Sequence, residues 1–268
     1  MLINAGAPIA PTTAVAPVVS RAARWEDDAC RHLLVWRAGP GWRMVSSAVL
    51  GGGIGERHWV LNAQVRPGYS RLDPDRHLAE LAKAEGLRGE GVGLMTAAEV
   101  DHAIWAEDGG ATVLVTAGIG VPAWAAAPEG HAALSGARPD RYVPGTINIL
   151  AVVPAPVSDA GLVNLLATAT EAKVQALLDA GYDCSGTPSD AVCVAVRAPG
   201  DGPSADPFGG PRSRWGARLA RAVHQAVREG AELDRVRRVS GPPRPHHGPR
   251  PDCCRTDILT RPVARRRG

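Results

Sequence analysis

The sequence predicts a mixed α/β (α+β) fold, as a single domain with a central sheet packed by about three helices. Short apolar runs alternate with glycine-marked turns through the middle of the chain, which is typical of β-strands. Three longer segments carry helix signals, and the strands outnumber these helices without alternating strictly with them. The chain has 268 residues, 45% hydrophobic and 21% charged, and is long enough to bury such a core.

Eight strands are predicted from the apolar runs. The last, Ala-Val-Cys-Val-Ala-Val at 191–196, is apolar on both faces, which indicates a strand covered on both sides. In chain order, the predicted strands span residues 33–37, 44–50, 58–65, 93–95, 103–106, 112–117, 146–153 and 191–196.

Three helices are predicted from capping residues and periodicity. The first covers residues 75–85, with Pro74 as its start signal. The second begins after Ser158, a good N-cap residue, and ends near Gly181. The third covers 213–229 and has one apolar stripe at i,i+4 spacing, formed by Trp215, Leu219, Val223 and Val227.

Charge and composition divide the chain into three zones. Residues 1–24 are rich in Pro and Ala and are expected to be a disordered leader, followed by a folded domain at 25–232. Residues 233–268 are expected to be a basic, Pro/Arg-rich disordered tail. From residue 235 onward there are ten Arg, no Lys and two acidic residues, which gives this segment a net charge of +8. Because the net charge of the whole chain is +3, residues 1–234 have a net charge of −5. The alkaline pI therefore gives no reason to expect a nucleic-acid partner.

Several classes of protein are excluded early. No apolar run approaches the roughly 20 residues that a membrane-spanning helix needs, and the N-terminus makes a poor signal peptide. The cysteines are odd in number and lack the spacing of a disulfide framework, which favours reduced thiols in a cytoplasmic protein. They are Cys30, Cys184, Cys193, Cys253 and Cys254.

Three motif matches are weak. Gly118-Ile-Gly120-Val-Pro-Ala123 spells a dinucleotide fingerprint after a strand, but Pro128 and Gly130 would interrupt the helix that it needs. The glycines at 51–53 lack the Lys-Ser/Thr of a phosphate loop, and either a tight loop or close backbone approach to a ligand fits them. His and Cys residues in the tail favour adventitious metal binding, and no native metal site is expected; they are His246, His247, Cys253 and Cys254.

The second predicted helix carries an unusual lysine. A helical wheel separates a polar stripe from an apolar arc, and it places Thr170 and Lys173 inside the apolar arc. The chain has only two lysines, Lys83 and Lys173. Either Lys173 snorkels from the interface edge while Thr170 bonds back to the helix backbone, or both face a site inside the domain. The stripe consists of Asn164, Thr168, Glu171 and Gln175, and the arc of Leu162, Val163, Leu166, Val174 and Leu177.

Two other segments carry site-like chemistry at strand ends. Thr146 and Asn148 fall on the same face of a predicted strand that follows a Pro-Gly turn. Asp190 stands at the mouth of the strand at 191–196, where a carboxylate is either a turn cap or a site acid.

Taken together, these segments resemble the adenosylcobinamide amidohydrolase family of corrinoid salvage. The resemblance covers roughly residues 30–231, and its specificity lies in the order and spacing of short motifs. One departure is that Pro188 and Ser189 precede Asp190, where the family usually has Thr before the Asp. The matching segments are 47–53, Asn62 with Val65 and Tyr69, 95–98, 116–118, 144–148, 169–173, 186–191 and 209–213.

The resemblance implies hydrolysis of the amide that joins the aminopropanol arm to the corrin ring. The products would be adenosylcobyric acid and 1-amino-2-propanol, which serves cobinamide salvage for coenzyme B12 synthesis. We expect Glu171 or Asp190 to activate a water, with Thr170 a weaker candidate for a direct nucleophile. Lys173 would hold the oxyanion or donate the proton. The residues expected to bind substrate are Gly51, Gly52, Gly53, Asn62, Thr96, Thr146 and Asn148.

Two competing classes remain at this point. A corrinoid-binding module would keep the cavity without hydrolysis, and a nicotinamide-dependent oxidoreductase would rest on Gly118–Ala123 alone. We expect a small-molecule corrinoid as the partner, with no nucleic acid and no membrane, and the sequence leaves the oligomeric state open. No cofactor or protein-bound metal is expected, because the cobalt would arrive in the corrinoid substrate.

Overall fold

The computed structural model describes residues 17–129, 145–200, 204–240 and the backbone of 257–258. The prediction of a mixed α/β fold with three helices is confirmed, but the strands form two sheets instead of one central sheet. Each predicted strand overlaps an observed one, with boundaries that differ by up to four residues.

The first sheet has the strand order β11-β1-β2-β5-β6. Its neighbours are antiparallel except β5 and β6, which run parallel and pair from Trp59↔Gly91 to Gln64↔Thr96. The strands are β1 (Val19–Glu26), β2 (Ala29–Arg37), β5 (Trp59–Gln64), β6 (Gly91–Thr96) and β11 (Asp257–Ile258).

The second sheet has the strand order β4-β3-β10-β9-β8-β7. Here β9 and β10 are the parallel pair, with Asn148 opposite Ala191 at the start of their register. The strands are β3 (Trp42–Ser46), β4 (Gly53–Glu56), β7 (Ile104–Asp108), β8 (Ala111–Ala117), β9 (Ile147–Pro156) and β10 (Ala191–Arg197).

The helices begin where the sequence signals predict. Pro74 opens α1 (Pro74–Ala84), and Ser158 caps α2 (Asp159–Asp179) by accepting a hydrogen bond from the Gly161 amide at 3.1 Å. The predicted stripe of α3 (Arg214–Ser240) is buried as expected. A 3-10 turn at Val100–His102 precedes β7.

Three apolar clusters stack the elements into four layers. Helix α1 covers the outer face of the first sheet, and α2 and α3 cover the outer face of the second. The two sheets meet at a cluster between them, which explains why a strand such as β10 is apolar on both faces. That inter-sheet cluster includes Leu34, Trp36, Val60, Val92 and Leu94 from the first sheet and Met44, Leu114, Leu150, Val152 and Cys193 from the second.

Several predicted boundaries need correction. The leader expected at 1–24 is wrong for residues 19–24, because they belong to β1, and residues 1–16 lie outside the described part. The tail expected from 233 is wrong up to 240, because α3 continues eleven residues beyond the predicted Glu229, and it is wrong at 257–258, which form β11. The glycine segment expected to be a loop contributes Gly53 to β4.

The cysteines differ from the expectation of five reduced thiols. Cys30 is disulfide-bonded, whereas Cys184 and Cys193 are free and buried. Burial raises the pKa of the Cys193 thiol to about 12. Among the helices of the described residues, none is long and apolar enough to cross a membrane.

Candidate functional site

A cavity of about 570 Å³ opens between the two sheets. The ends of β5 and β6 contribute one wall, and the starts of β9 and β10, with the segment after β3, contribute the other. Of the residues predicted to form the site, the lining contains Thr96, Thr146 and Asp190. Its other polar members are Ser47, Arg66, Tyr69, Arg71 and Ser189.

Two hydroxyl groups lie together on the second-sheet wall. Thr146 Oγ1 and Ser189 Oγ are 2.5 Å apart, and Thr146 is buried whereas Ser189 is exposed. Thr146 directly precedes β9, and Ser189 stands just before β10, so the parallel pairing of these strands brings them to one edge. The register of β9 and β10 therefore holds the two hydroxyls beside each other.

Lys173 reaches the same edge from α2. Its Nζ lies 2.5 Å from Asp190 Oδ2, and both side chains are more than nine-tenths buried. Lys173 therefore does not snorkel to solvent but faces the domain interior, whereas Thr170, which the alternative interpretation placed beside it, is exposed.

The Asp190 carboxylate is saturated with donors. Besides Lys173, it accepts hydrogen bonds from the Ile147 amide at 2.9 Å, the Thr187 amide at 3.1 Å and the Thr187 hydroxyl at 2.5 Å. An ionised carboxylate offers about four lone-pair sites, so these four donors fill them. Asp190 thus caps the turn before β10 and has no lone pair left for the proton of a water.

Gly186 explains how the ion pair fits into the turn. A Cβ on Gly186 would overlap both the Asp190 carboxylate and the Lys173 ammonium. The absence of a side chain lets the backbone pass directly over the pair. The motif Gly-Thr-Pro-Ser-Asp therefore encodes a turn built around a buried charge.

Asn62 and Asn148 lie behind the cavity in a network between the sheets. Asn148 Nδ2 donates to Asn62 Oδ1 and to the Met95 carbonyl, both at 2.9 Å, and Asn62 Nδ2 donates to Thr116 Oγ1 at 3.0 Å. Asn148 Oδ1 is buried and has no hydrogen-bond partner among the described residues. Neither asparagine lines the cavity, so a direct contact with substrate stays a prediction.

Thr96 contacts both the cavity and its own turn. Its Oγ1 accepts a hydrogen bond from the Ala98 amide at 3.0 Å, which orders the segment after β6. The side chain is buried, with 2% of its surface exposed. Thr96 therefore shapes the wall beside Thr146 from the opposite sheet.

The glycines at 51–53 lie outside the cavity lining. Gly51 has φ of +70°, and a Cβ there would overlap the Gly91 carbonyl oxygen. A Cβ on Gly52 would crowd the Ala48 carbonyl oxygen, whereas Gly53 faces open space. Backbone packing accounts for Gly51 and Gly52, and a role in binding substrate stays a prediction.

The helical wheel of α2 is wrong at several positions. Thr170 and Val163 were placed in the apolar arc but are exposed, Val163 at 51%, whereas Thr168 of the polar stripe is buried and donates to the Gly209 carbonyl at 3.0 Å. Glu171 is exposed, as its place in the polar stripe predicts. Thr170 bonds back to the Leu166 carbonyl, as its alternative interpretation expected. The buried face consists of small residues with a few leucines and Lys173: Gly161, Leu162, Leu165, Thr168, Ala169, Ala172, Ala176 and Leu177. Thr170 and Glu171 therefore lie away from the Lys173–Asp190 pair.

A further group of cavity residues was not predicted as part of the site, although Tyr69 belongs to the segments that match the family. Tyr69 lines the cavity, and its Oη lies 3.0 Å from Nδ1 of His77, a buried residue of α1. His77 Nε2 lies 3.2 Å from Oε1 of Glu26 on β1. The available signal was a histidine on the face of α1 that also carries Leu78 and Ala82, both buried.

Burial sets the protonation of this group. It lowers the pKa of His77, against the opposing effect of Glu26, and it raises the pKa of the Tyr69 phenol. At neutral pH the imidazole is therefore uncharged and the phenol keeps its proton.

Metal and dinucleotide sites gain no support from the described residues. Within them, no three His, Cys, Asp or Glu side chains are grouped as ligands, and the tail residues His246, His247, Cys253 and Cys254 lie outside. No helix follows Gly118–Ala123 within 118–129, so the fingerprint lacks its phosphate-binding helix. Instead, the Gly145 backbone approaches the Gly118 carbonyl so closely that a Cβ on Gly145 would overlap it.

Comparison with known proteins agrees with the motif order. The family model described as adenosylcobinamide amidohydrolase matches residues 17–238. A protein of Methanosarcina mazei named adenosylcobinamide amidohydrolase is 32% identical over 193 residues, which cover 70% of this chain and 89% of that protein. A protein of Halobacterium salinarum with the same name is 39% identical over 145 residues, 53% of this chain and 58% of that protein.

Among solved structures, the PH0078 protein from Pyrococcus horikoshii matches with a TM-score of 0.41 and 10% identity, covering 82% of this chain and 84% of that one. A likeness at this level carries no argument about function. The family model spans β1 to most of α3, including every segment that builds the cavity. This chain belongs to the adenosylcobinamide amidohydrolase family.

Proposed function

We propose that this chain hydrolyses the aminopropanol amide of adenosylcobinamide to give adenosylcobyric acid and 1-amino-2-propanol. Membership of the family, with a match over residues 17–238 that spans the whole cavity, is the observation that carries the proposal. In the reaction one water is consumed: its oxygen adds to the carbonyl carbon, the C–N bond breaks, and a proton ends on the departing nitrogen.

Thr146 and Ser189 are the groups that we assign to the scissile amide. Both residues line the cavity. One hydroxyl donates to the other, and the second hydroxyl can donate its proton to the carbonyl oxygen as negative charge develops on it. We assign the Lys173–Asp190 pair to hold the two strand ends that carry these hydroxyls, through the contact of Lys173 with Asp190 and of Asp190 with the Ile147 amide. Because Asp190 is saturated and Glu171 and Thr170 are exposed on α2, the proposal gives none of the three the role of activating water or attacking the amide.

The proposal includes a corrinoid as the partner, with no nucleic acid and no resident metal or cofactor, because the cobalt enters with the substrate. The cavity is open and of a size that suits a side arm of a large ligand, so we expect the macrocycle to rest across its mouth. A cytoplasmic location follows from the salvage role, although the Cys30 disulfide is unusual for a reducing compartment.

The test is incubation of the purified full chain with adenosylcobinamide in water enriched in oxygen-18. We expect mass analysis to find adenosylcobyric acid with one heavy oxygen in its new carboxylate, together with 1-amino-2-propanol. Heat-unfolded protein is the matched control. Tight binding of adenosylcobinamide without either product would instead indicate a binding module and refute the proposal.

A further inference from the structure

We propose that Tyr69, backed by His77 and Glu26, carries the proton during cleavage of the amide. This inference rests on the proposed function and adds the group that moves a proton, which the second-sheet wall does not supply. Tyr69 stands on the first-sheet side of the cavity, in the segment between β5 and α1, across from the strand ends that carry Thr146 and Asp190.

The three side chains form a continuous chain of contacts from the cavity into the protein. Tyr69 Oη lies 3.0 Å from His77 Nδ1, with the two rings nearly parallel at 10°. His77 Nε2 lies 3.2 Å from Glu26 Oε1, and Arg24 Nε donates to the other carboxylate oxygen at 2.6 Å. His77 is 4% exposed, so its imidazole is almost closed to bulk solvent.

The contacts assign the protons. The Glu26 carboxylate only accepts, so His77 Nε2 carries the ring proton of the neutral imidazole. Nδ1 is then an acceptor, and the Tyr69 hydroxyl donates to it. This leaves the lone pairs of Tyr69 Oη for a proton arriving from the cavity.

The charged groups around His77 come from three elements. Glu26 and Arg24 belong to β1, Arg71 to the segment before α1, and Glu80 to α1 itself. The two acids favour an imidazolium and the two arginines oppose it, so the direct contact with Glu26 stabilises the charged ring when it forms. The arrangement matches the general logic of a hydroxyl, a base and an orienting carboxylate.

The other hydroxyl groups of the described cavity lining contact backbone amides or each other. Ser47 Oγ accepts from the Val192 amide, Thr96 Oγ1 accepts from the Ala98 amide, and Asp190 is saturated. Thr146 and Ser189 contact each other. Among the described residues of the lining, Tyr69 is the hydroxyl that contacts an uncharged imidazole.

The proton transfers balance over the reaction. As water adds to the carbonyl carbon, its proton passes to Tyr69 Oη while the phenolic proton passes to His77 Nδ1. The imidazolium is then held between Tyr69 and Glu26. When the C–N bond breaks, the proton returns from Nδ1 to Tyr69, and the phenolic proton moves to the departing nitrogen. Tyr69 is the catalytic residue, and His77 and Glu26 act through it as positioning residues.

The test compares Tyr69→Phe with Tyr182→Phe in the full chain. Both variants remove one hydroxyl, but Tyr182 Oη contacts the Ala231 carbonyl and Asp234, away from the cavity. We expect Tyr69→Phe to lower kcat about 100-fold or more while KM changes less than about threefold. Tyr182→Phe keeps the wild-type kcat. Thermal unfolding and adenosylcobinamide binding, followed by tryptophan fluorescence, verify that each variant is folded.

The pH profile separates proton transfer from a structural role. In the wild type we expect kcat to fall at acid pH, below the ordinary histidine value, because a protonated His77 cannot accept. In His77→Gln we expect this fall of kcat at acid pH to disappear. If Tyr69→Phe does not fold, the variant Glu26→Gln is tested in its place. A lower kcat, with a shift of the pH at which kcat begins to fall, would then support the proposal.

The outcomes distinguish the two proposals. If the wild type hydrolyses adenosylcobinamide and Tyr69→Phe retains its kcat and pH profile, proton transfer through Tyr69 and His77 is wrong and the proposed function stands. If the wild type gives no product, the proposed function fails and the proton transfer fails with it.

Discussion

Lys173 Nζ lies 2.5 Å from Oδ2 of Asp190, and this buried ion pair joins α2 to the start of β10. The two residues come from separate motifs, Thr-Glu-Ala-Lys and Gly-Thr-Pro-Ser-Asp, on either side of the turn that follows α2. Because the pair is almost fully buried, its loss has consequences for both stability and turnover.

Asp190→Asn is expected to destabilise the protein by about 3–5 kcal/mol, because it leaves the Lys173 ammonium buried without a counter-charge. Lys173→Met costs less, since Asp190 keeps its donors from Ile147 and Thr187. The double variant Lys173→Met/Asp190→Asn recovers stability relative to Asp190→Asn but stays inactive. Urea unfolding and turnover measure both effects, with Lys83→Met on the exposed side of α1 as the matched control. A double variant no more stable than Asp190→Asn would contradict the assignment of an isolated buried charge.

Gly186→Ala is expected to lower both stability and activity, because the new Cβ would overlap the Lys173–Asp190 pair. We expect a loss of about 1–3 kcal/mol, as for other overpacked sites. Gly200→Ala is the matched control, since a Cβ there meets no atom within 4 Å. Equal melting temperatures for the two variants would show that the turn relaxes around the methyl group.

The free energy of unfolding is expected to depend on pH through His77. Burial lowers the pKa of this group in the folded state, so below the ordinary value of 6.5 the unfolded chain binds more protons than the folded one. Stability therefore falls as the pH is lowered through this window. Urea unfolding from about pH 7.5 to about pH 5.5 should give a smaller decline for His77→Gln than for the wild type. Parallel pH dependences in the two proteins would argue that His77 is not the titrating group.

Truncation is expected to separate the end of α3 from the basic tail. Removing residues 241–268 leaves α3 intact but takes away β11, the two-residue edge strand that pairs with β1. Because β1 keeps its eight-residue pairing with β2, we expect turnover to stay at the wild-type level. Removing residues 235–268 also deletes the contacts of Arg235 with the Ala180 carbonyl and of Arg237 with Glu99. The longer truncation should melt roughly 5 °C lower than the shorter one. A large loss of turnover in the shorter truncation would assign a function to the tail.

The periodic elements could be predicted from the sequence because their signals are local. Ser158 and Pro74 act within the first turn of their helices, and the stripe of α3 repeats every four residues along one helix. Strand β1 was missed because Ser-Arg-Ala-Ala-Arg lacks the β-branched residues typical of strands, and its pairing with β2 over eight residues decides its conformation. The wheel of α2 failed because alanines, and not large apolar residues, mark its packed face.

The site could be predicted only where one short motif contains its residues. Asp190 and Thr146 lie next to strand starts, and the order of motifs led to them. The contacts of Tyr69 with His77 and of His77 with Glu26 join three separate elements, so no spacing along the chain encodes them. The same holds for the saturation of Asp190, which depends on an amide of β9 as well as on its own turn.

The two walls of the cavity belong to different sheets. In the first sheet, Thr96 ends β6 and Tyr69 lies in the segment after β5, whereas Thr146 and Asp190 precede strands of the second sheet. The apolar layer that includes Trp36, Leu114 and Leu150 therefore separates the two walls. We expect the packing of these side chains to set the width of the cavity, and thereby to affect turnover, although none of them lines it.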